Sequence, residues 1–225
     1  VKNLQHLIHY LPSQKNIDCC SANAVLLSAE MILFSEGIKE YFSRLYLYYM
    51  SRFLTNRVGK SGTGIRDTLI ALEAFGVPRN EVWPFIEEVV DVHPNFSVIT
   101  DASYHRMNSY KRILPDQIKF YIDNEFSVIA GMHIGRLFPG IQGSIVNHRY
   151  IPINTTNNRQ FKGHAVTIIG YDDNLNNGSW IIANFAGPKW GDHGIAAIPY
   201  SCSADMLEIY VITGFAGITL EKKFQ

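Results

Sequence analysis

Apolar positions follow two different rhythms along this chain. In the first half they recur three and four residues apart. Ala22, Val25, Leu26, Ala29, Ile32 and Leu33 share one helical face, with Asp18 as the expected N-cap and Gly37 as the stop, which predicts a helix over 20–36. Residues 43–53 read as a second helix rich in aromatics (Tyr46, Tyr48, Tyr49, Phe53), whose rings are expected to pack in the core. A third helix is predicted over 65–75, closed by Gly76, after a Gly-rich loop at 58–64. Residues 86–112 change character: an acidic run, a break at His93-Pro94, then a mixed polar stretch, which reads as a crossover between halves. A short helix is expected over 115–124. From there the pattern turns to strands, at 126–132, 145–153, 165–171, 179–183, 195–199 and 207–213. The segment 154–160 is a polar loop, 172–178 a turn-rich connection, and 1–13 an irregular arm. A helical half followed by a strand-rich half predicts an α+β fold.

Composition narrows the class. A chain of 225 residues is long enough for one or two lobes and buries roughly 70–75% of its unfolded surface. With 47% hydrophobic and 12% aromatic residues it is globular rather than disordered. Lys+Arg and Asp+Glu are both 20, so no basic footprint points to nucleic acid or to a membrane surface. No apolar run approaches the roughly 20 residues that span a bilayer. No signal peptide is visible at Val1, so the chain reads as mature or trimmed. The cysteines are Cys19, Cys20 and Cys202, an odd set with no disulfide framework. Glycosylation sequons stand at Asn95, Asn154 and Asn177. The Gly59–Gly64 stretch is not a phosphate loop, because Thr55 occupies the place of the required first glycine and no strand leads in.

Candidate chemistry centres on Gln14 to Ala24. Cys20 falls in the first turn of the predicted helix, where unpaired N–H groups and the helix dipole favour a thiolate. A lone helix cysteine is more often a small buried residue. What changes that weighting is a second stretch, Gly163-His164-Ala165-Val166, followed by Asn184 ahead of Gly187 and Trp190-Gly191. His164 stands 144 residues after Cys20 and Asn184 20 residues further on. That order, Cys then His then Asn at about this separation, is the order of the papain-type hydrolases.

At these residues the chain resembles the papain-like (C1) cysteine peptidases, and most of all their divergent bacterial branch. In that branch Cys-Thr-Ala-Asn-Ala often stands at the nucleophile; here it is Cys20-Ser21-Ala22-Asn23-Ala24. Gln14 stands six residues before Cys20, as the family's oxyanion-hole glutamine does. Arg66-Asp67 with the helix after it, Phe75-Gly76-Val77 through Val82-Trp83-Pro84, the stretch 163–173 and Trp190-Gly191-Asp192-His193-Gly194 are similar as well.

The resemblance implies one catalytic domain over 1–225 with two lobes, helical over about 14–110 and β-rich and barrel-like over about 111–225, and an active-site cleft between them. It implies a cysteine endopeptidase in which Cys20 is the nucleophile, His164 the acid and base, Asn184 the residue that orients the imidazole, and Gln14 an oxyanion donor. Gly62 and Thr63 would hydrogen-bond a substrate backbone as an added strand, and Gly163 and Trp190 complete the expected substrate-binding set. No cofactor or metal is expected: His6, His9, His93, His105, His133, His148 and His193 read as structural or exposed, and none has zinc-site spacing. The implied partners are a polypeptide substrate and an N-terminal pro-segment acting as inhibitor, with no nucleic acid and no membrane. A secreted monomer, extracellular or periplasmic, goes with that picture.

The chain departs from the family pattern in four places. Ser21 replaces an aromatic, and Cys19 replaces a serine or similar small residue. Ile17 stands where a disulfide cysteine is common. Asn184-Phe185-Ala186-Gly187 replaces Asn-Ser-Trp-Gly, so Ala186 takes the place of the tryptophan that shields the His–Asn bond. Two other readings keep the scaffold: a glutamine deamidase or acyl transferase, and a catalytically weak scaffold that binds a partner protein.

Overall fold

A computed structural model of the protein describes residues 1–134 and 162–219. The strand expected over 145–153, the loop 154–160, His148 and the sequon at Asn154 lie outside the described residues. In chain order the elements are β1 (Lys2–Asn3), α1 (Cys20–Ser35), α2 (Arg44–Leu54), α3 (Ile65–Phe75), α4 (Phe96–Ala102), β2 (Met107–Arg112), α5 (Ile118–Asp123), β3 (Val128–Ile134), β4 (Lys162–Asp172), β5 (Ser179–Ala183), β6 (Ile195–Pro199), β7 (Met206–Phe215) and β8 (Ile218–Thr219). They divide into two compact units. One comprises Val1–Lys15 with Arg112–Val211, and the other Asn16–Lys111 with Ile212–Gln225.

The helical unit is arranged around α1. Its apolar residues were expected on one face, but every residue from Ser21 to Phe34 is buried, so the helix is a core element on all sides. That puts Glu30 inside, at 0% exposure. Arg44, at the start of α2, answers it with two guanidinium bonds, Nη1 to Oε1 at 2.5 Å and Nη2 to Oε2 at 2.6 Å. The Phe42 N–H donates to Glu30 Oε1 at 2.9 Å, and Arg44 Nη1 also reaches the Phe42 carbonyl at 2.9 Å. A buried carboxylate is tolerated only when paired and hydrogen-bonded in this way.

Helix ends follow local chemistry. The Ser43 hydroxyl caps α2 by accepting the Tyr46 N–H at 3.1 Å. Gly76 ends α3 with φ of +72°, and a Cβ there would lie 2.0 Å from the Ala102 carbonyl oxygen, so no other residue fits. The expected N-cap of α1 is corrected. Cys19 occupies that position, with no side-chain capping bond, while the Asp18 carboxylate accepts the Ser61 hydroxyl instead. Residues 86–112, read as a crossover, carry α4, capped by the Asn95 side chain at 3.1 Å from the Val98 N–H, and β2.

The strand-rich unit is an antiparallel sheet in the order β7-β3-β4-β5-β6, with β1 added on β4. Register pairs Met132 with His164, Thr167 with Ala183, and Ser179 with Pro199. Ile129, Val166, Ile168, Ile182, Ile198 and Val211 are fully buried in it. The N-terminal arm is more ordered than expected. Leu4 is fully buried and its N–H bonds the Ile169 carbonyl at 2.7 Å. Gly170 makes room for this arm, since a Cβ there would lie 2.5 Å from the Lys2 carbonyl oxygen.

Replacing Glu30 with alanine strands the Arg44 charge. The free energy of unfolding should fall by about 3–5 kcal/mol in denaturant titrations. A loss below about 1 kcal/mol, the size typical of a surface pair, would contradict the core role given to this pair.

Candidate active site

Two strand positions set the first half of the site. β4 carries His164, and Asn184 follows the last residue of β5. Because Thr167 pairs with Ala183, the β4–β5 register brings their side chains together, and His164 Nε2 lies 2.7 Å from Asn184 Oδ1. The carboxamide oxygen can only accept, so Nε2 is the donor in this bond. Asn184 is 2% exposed and His164 is half-buried, so the bond is sheltered on the asparagine side.

The loop after Asn184 is braced by glycines and by the N-terminal arm. The Asn184 N–H bonds the Gly194 carbonyl at 2.8 Å. Gly194 has φ of +93°, and a Cβ there would lie 2.4 Å from Leu11 Cδ2 and 3.2 Å from the Asn184 carbonyl oxygen. Gly191, at φ +57°, would place a Cβ 2.3 Å from the Ile195 carbonyl oxygen. These contacts are the physical reason for the glycines in the 190–194 motif. The Gln14 N–H donates to the Phe185 carbonyl at 2.8 Å, which brings Gln14 into the same neighbourhood as Asn184. Its carboxamide oxygen is buried with no hydrogen-bond partner among the described residues, an uncommon state for a polar atom.

Ala186 is exposed and Phe185 fully buried, so the position expected to shield the His–Asn bond holds only a methyl group at the surface. Trp190, expected in the substrate-binding set, is 3% exposed, and its carbonyl accepts the Gly194 N–H at 2.8 Å. Gly163, next to His164 and paired with His133, is exposed with open space where a Cβ would be.

The helical unit holds the rest of the candidate residues. Cys20 is the first residue of α1, where a backbone N–H has no carbonyl four residues back within the helix. It is the partly exposed cysteine; Cys19 and Cys202 are buried, and none of the three is in a disulfide. Burial, with the neighbouring Cys20 adding to it, pushes the Cys19 thiol up to about 12. Burial, then the Asp205 charge, does the same to Cys202, also to about 12. Both are therefore neutral, weakly nucleophilic thiols at physiological pH. Asn23 holds Cys19 in place, its Nδ2 donating to the Cys19 carbonyl at 3.1 Å and to Sγ at 3.2 Å.

Gly62 has φ of +74° with nothing near its Cβ position, and its N–H is taken up by the Tyr48 hydroxyl at 3.0 Å. Thr63 Oγ1 is buried without a hydrogen-bond partner among the described residues. The Tyr48 contact, the Asp18–Ser61 contact and the packing of Leu11 against Gly194 had no signature in the sequence. They join residues far apart in the chain through single polar or van der Waals contacts, and such pairs leave no periodic pattern.

The fold and these residues define a class. The profile of the papain family of cysteine proteases matches residues 61–211, and the chain belongs to that family. The matched stretch contains His164 and Asn184 and begins after Cys20. Among solved structures the chain is similar to xylellain, a cysteine protease from Xylella fastidiosa, with a TM-score of 0.83 and 24% identity over 94% of this chain and 84% of that one. It is also similar to the Amb a 11 cysteine protease of ragweed pollen in its proform, with a TM-score of 0.71 and 15% identity over 94% of this chain and 65% of that one. An uncharacterized peptidase C1-like protein of Acanthamoeba polyphaga mimivirus is 23% identical over 205 residues, 85% of this chain. The chain spans 65% of the length of that viral relative. These likenesses agree with an α+β, papain-like fold.

At neutral pH a soluble alkylating reagent should modify Cys20 alone on the folded protein, with Cys19 and Cys202 labelled only after denaturation. Peptide mapping by mass spectrometry checks this, and equal labelling of the three thiols would contradict it.

Proposed function

We propose that this protein is a cysteine endopeptidase that hydrolyses peptide bonds of extended polypeptides. The observation that carries the reading is the His164–Asn184 bond, 2.7 Å from Nε2 to Oδ1. It fixes the imidazole tautomer and leaves the proton traffic to Nδ1, the arrangement a thiol hydrolase needs.

In this mechanism the Cys20 thiolate attacks the scissile carbonyl and forms a tetrahedral oxyanion, held by the Cys20 N–H and the Gln14 carboxamide NH₂. Protonated His164 gives its Nδ1 proton to the leaving amine, and the carbonyl re-forms as a thioester on Cys20. Neutral His164 then takes a proton from water as the water attacks the thioester, and Cys20 leaves as the thiolate. Asn184 keeps the ring in plane through both proton transfers. Gly62 and Thr63 present backbone groups to the substrate main chain, and Gly163 leaves the approach to His164 unobstructed. The chemistry needs neither cofactor nor metal. Synthesis with a pro-segment, secretion, and action as a monomer belong to the same proposal, the first supported by the proform among the structures similar to this chain.

Turnover of a library of extended peptides tests the reading. Cys20→Ala and His164→Ala should each abolish cleavage with the fold intact. Gln14→Ala should lower kcat by about 10²–10³, the usual effect of losing one oxyanion donor. Cleavage by Cys20→Ala at the wild-type rate would refute the assignment, and release of ammonia from glutamine side chains without backbone cleavage would replace it with a deamidase.

A further inference from the structure

The loop that carries Gly62 and Thr63 is fastened by polar contacts, all within the helical unit. Its middle stands on Tyr48. The Gly62 N–H donates to the Tyr48 hydroxyl at 3.0 Å, and Tyr48 itself is 2% exposed. The ring is pinned in turn by Arg52, whose guanidinium carbon lies 4.0 Å from the ring centroid. Arg52 is 2% exposed and anchored at several points: to Asp91 Oδ1 at 2.7 Å, to the Val90 carbonyl at 2.6 Å and to the Lys60 carbonyl at 3.4 Å. Asp91 closes the circuit by accepting the Gly59 N–H at 3.2 Å.

A second fastening joins this loop to the segment that leads into α1. The Ser61 hydroxyl donates to the Asp18 carboxylate, two residues before Cys20. Arg57 Nη2 supports the same residue by donating to the Ser61 carbonyl at 3.2 Å.

Gly62 combines a left-handed φ with open space, so its lack of a side chain serves conformation and close approach together. A peptide that adds to a strand edge recognises main-chain groups, and it binds well only if those groups are already in place. An unfastened loop of glycine, serine and threonine would have to be ordered anew in each binding event.

We propose that Tyr48 is a positioning residue that holds the backbone of Gly62 and Thr63 as a preformed edge for the substrate main chain, and that the Asp18–Ser61 contact ties this edge to the Cys20 end of α1. The inference rests on the peptidase reading for its substrate and on the loop contacts for its geometry.

The test compares Tyr48→Phe, which keeps the ring and the Arg52 stack and removes only the hydroxyl, with Ser61→Ala. In Tyr48→Phe, KM for an extended peptide should rise about tenfold with kcat nearly unchanged, because a sheltered N–H loses its acceptor. Ser61→Ala, which loses a solvent-exposed bond, should raise KM by roughly two- to fourfold. Hydrogen exchange at the Gly62 amide should quicken about tenfold in Tyr48→Phe. Alkylation of Cys20 by a small reagent should keep its wild-type rate in both variants. Unchanged KM and unchanged exchange in Tyr48→Phe would overturn the proposal. So would a joint fall in kcat and Cys20 alkylation, the mark of a merely structural residue. If the wild-type chain cleaves no peptide, the peptidase reading fails by itself. The exchange rates then decide whether Tyr48 positions the loop: quickened exchange upholds it and unchanged exchange overturns it.

Discussion

The register between β4 and β5 is the constraint on which the His164–Asn184 bond, and with it the proposed chemistry, depends. A strand slip of one residue turns every side chain to the opposite face, so the pairing that sets Thr167 against Ala183 keeps His164 and Asn184 on one face, where they meet. Much of the strand-rich unit works to keep that pairing. Gly170 lets the N-terminal arm pair closely with β4, the Gly194 carbonyl receives the Asn184 N–H, and the Trp190 carbonyl receives the Gly194 N–H. Gln14 joins this neighbourhood through its backbone, so one short arm both braces the Asn184 loop and presents an oxyanion donor in the proposed mechanism.

The helical unit solves a different problem. It must present a thiol at the start of a helix whose remaining length is buried on all sides. The bidentate Glu30–Arg44 pair, with the Phe42 N–H as a third donor, anchors the middle of α1 against the start of α2. At the helix start the two adjacent cysteines have opposite environments. Cys19 is fully buried, held by Asn23 and kept protonated by its burial, whereas Cys20 is partly exposed. Adjacent thiols are thereby made unequal by one residue's rotation about the helix axis.

Much of this was legible in the sequence where the signal is local or periodic. The third helix and the strands β5 and β6 sit where apolar spacing and Gly punctuation put them, because half-buried elements must repeat at 3.6 or 2 residues. The order Cys20, His164, Asn184 and Gln14's offset were readable only as a resemblance, since nothing in the spacing alone says that residues this far apart meet. The failures have physical causes. α1 lost its one-sided pattern because it is buried all round, so Ser28 and Glu30 mimic a polar face. Asp18 looked like an N-cap, but its carboxylate is drawn to Ser61, and Cys19 takes the cap position. α4 and β2 hid in a polar stretch because both are short and largely exposed.

The proposed mechanism rests on Cys20 acting as a thiolate with His164 as its proton partner. The most direct measurement is the pH dependence of Cys20 alkylation by a neutral reagent, in the wild type and in His164→Gln. A working pair predicts a reactive plateau reaching well below the free-cysteine value of about 8.5 in the wild type, and its loss in the variant. Reactivity that rises only through the ordinary thiol range, and identically in both proteins, would contradict it.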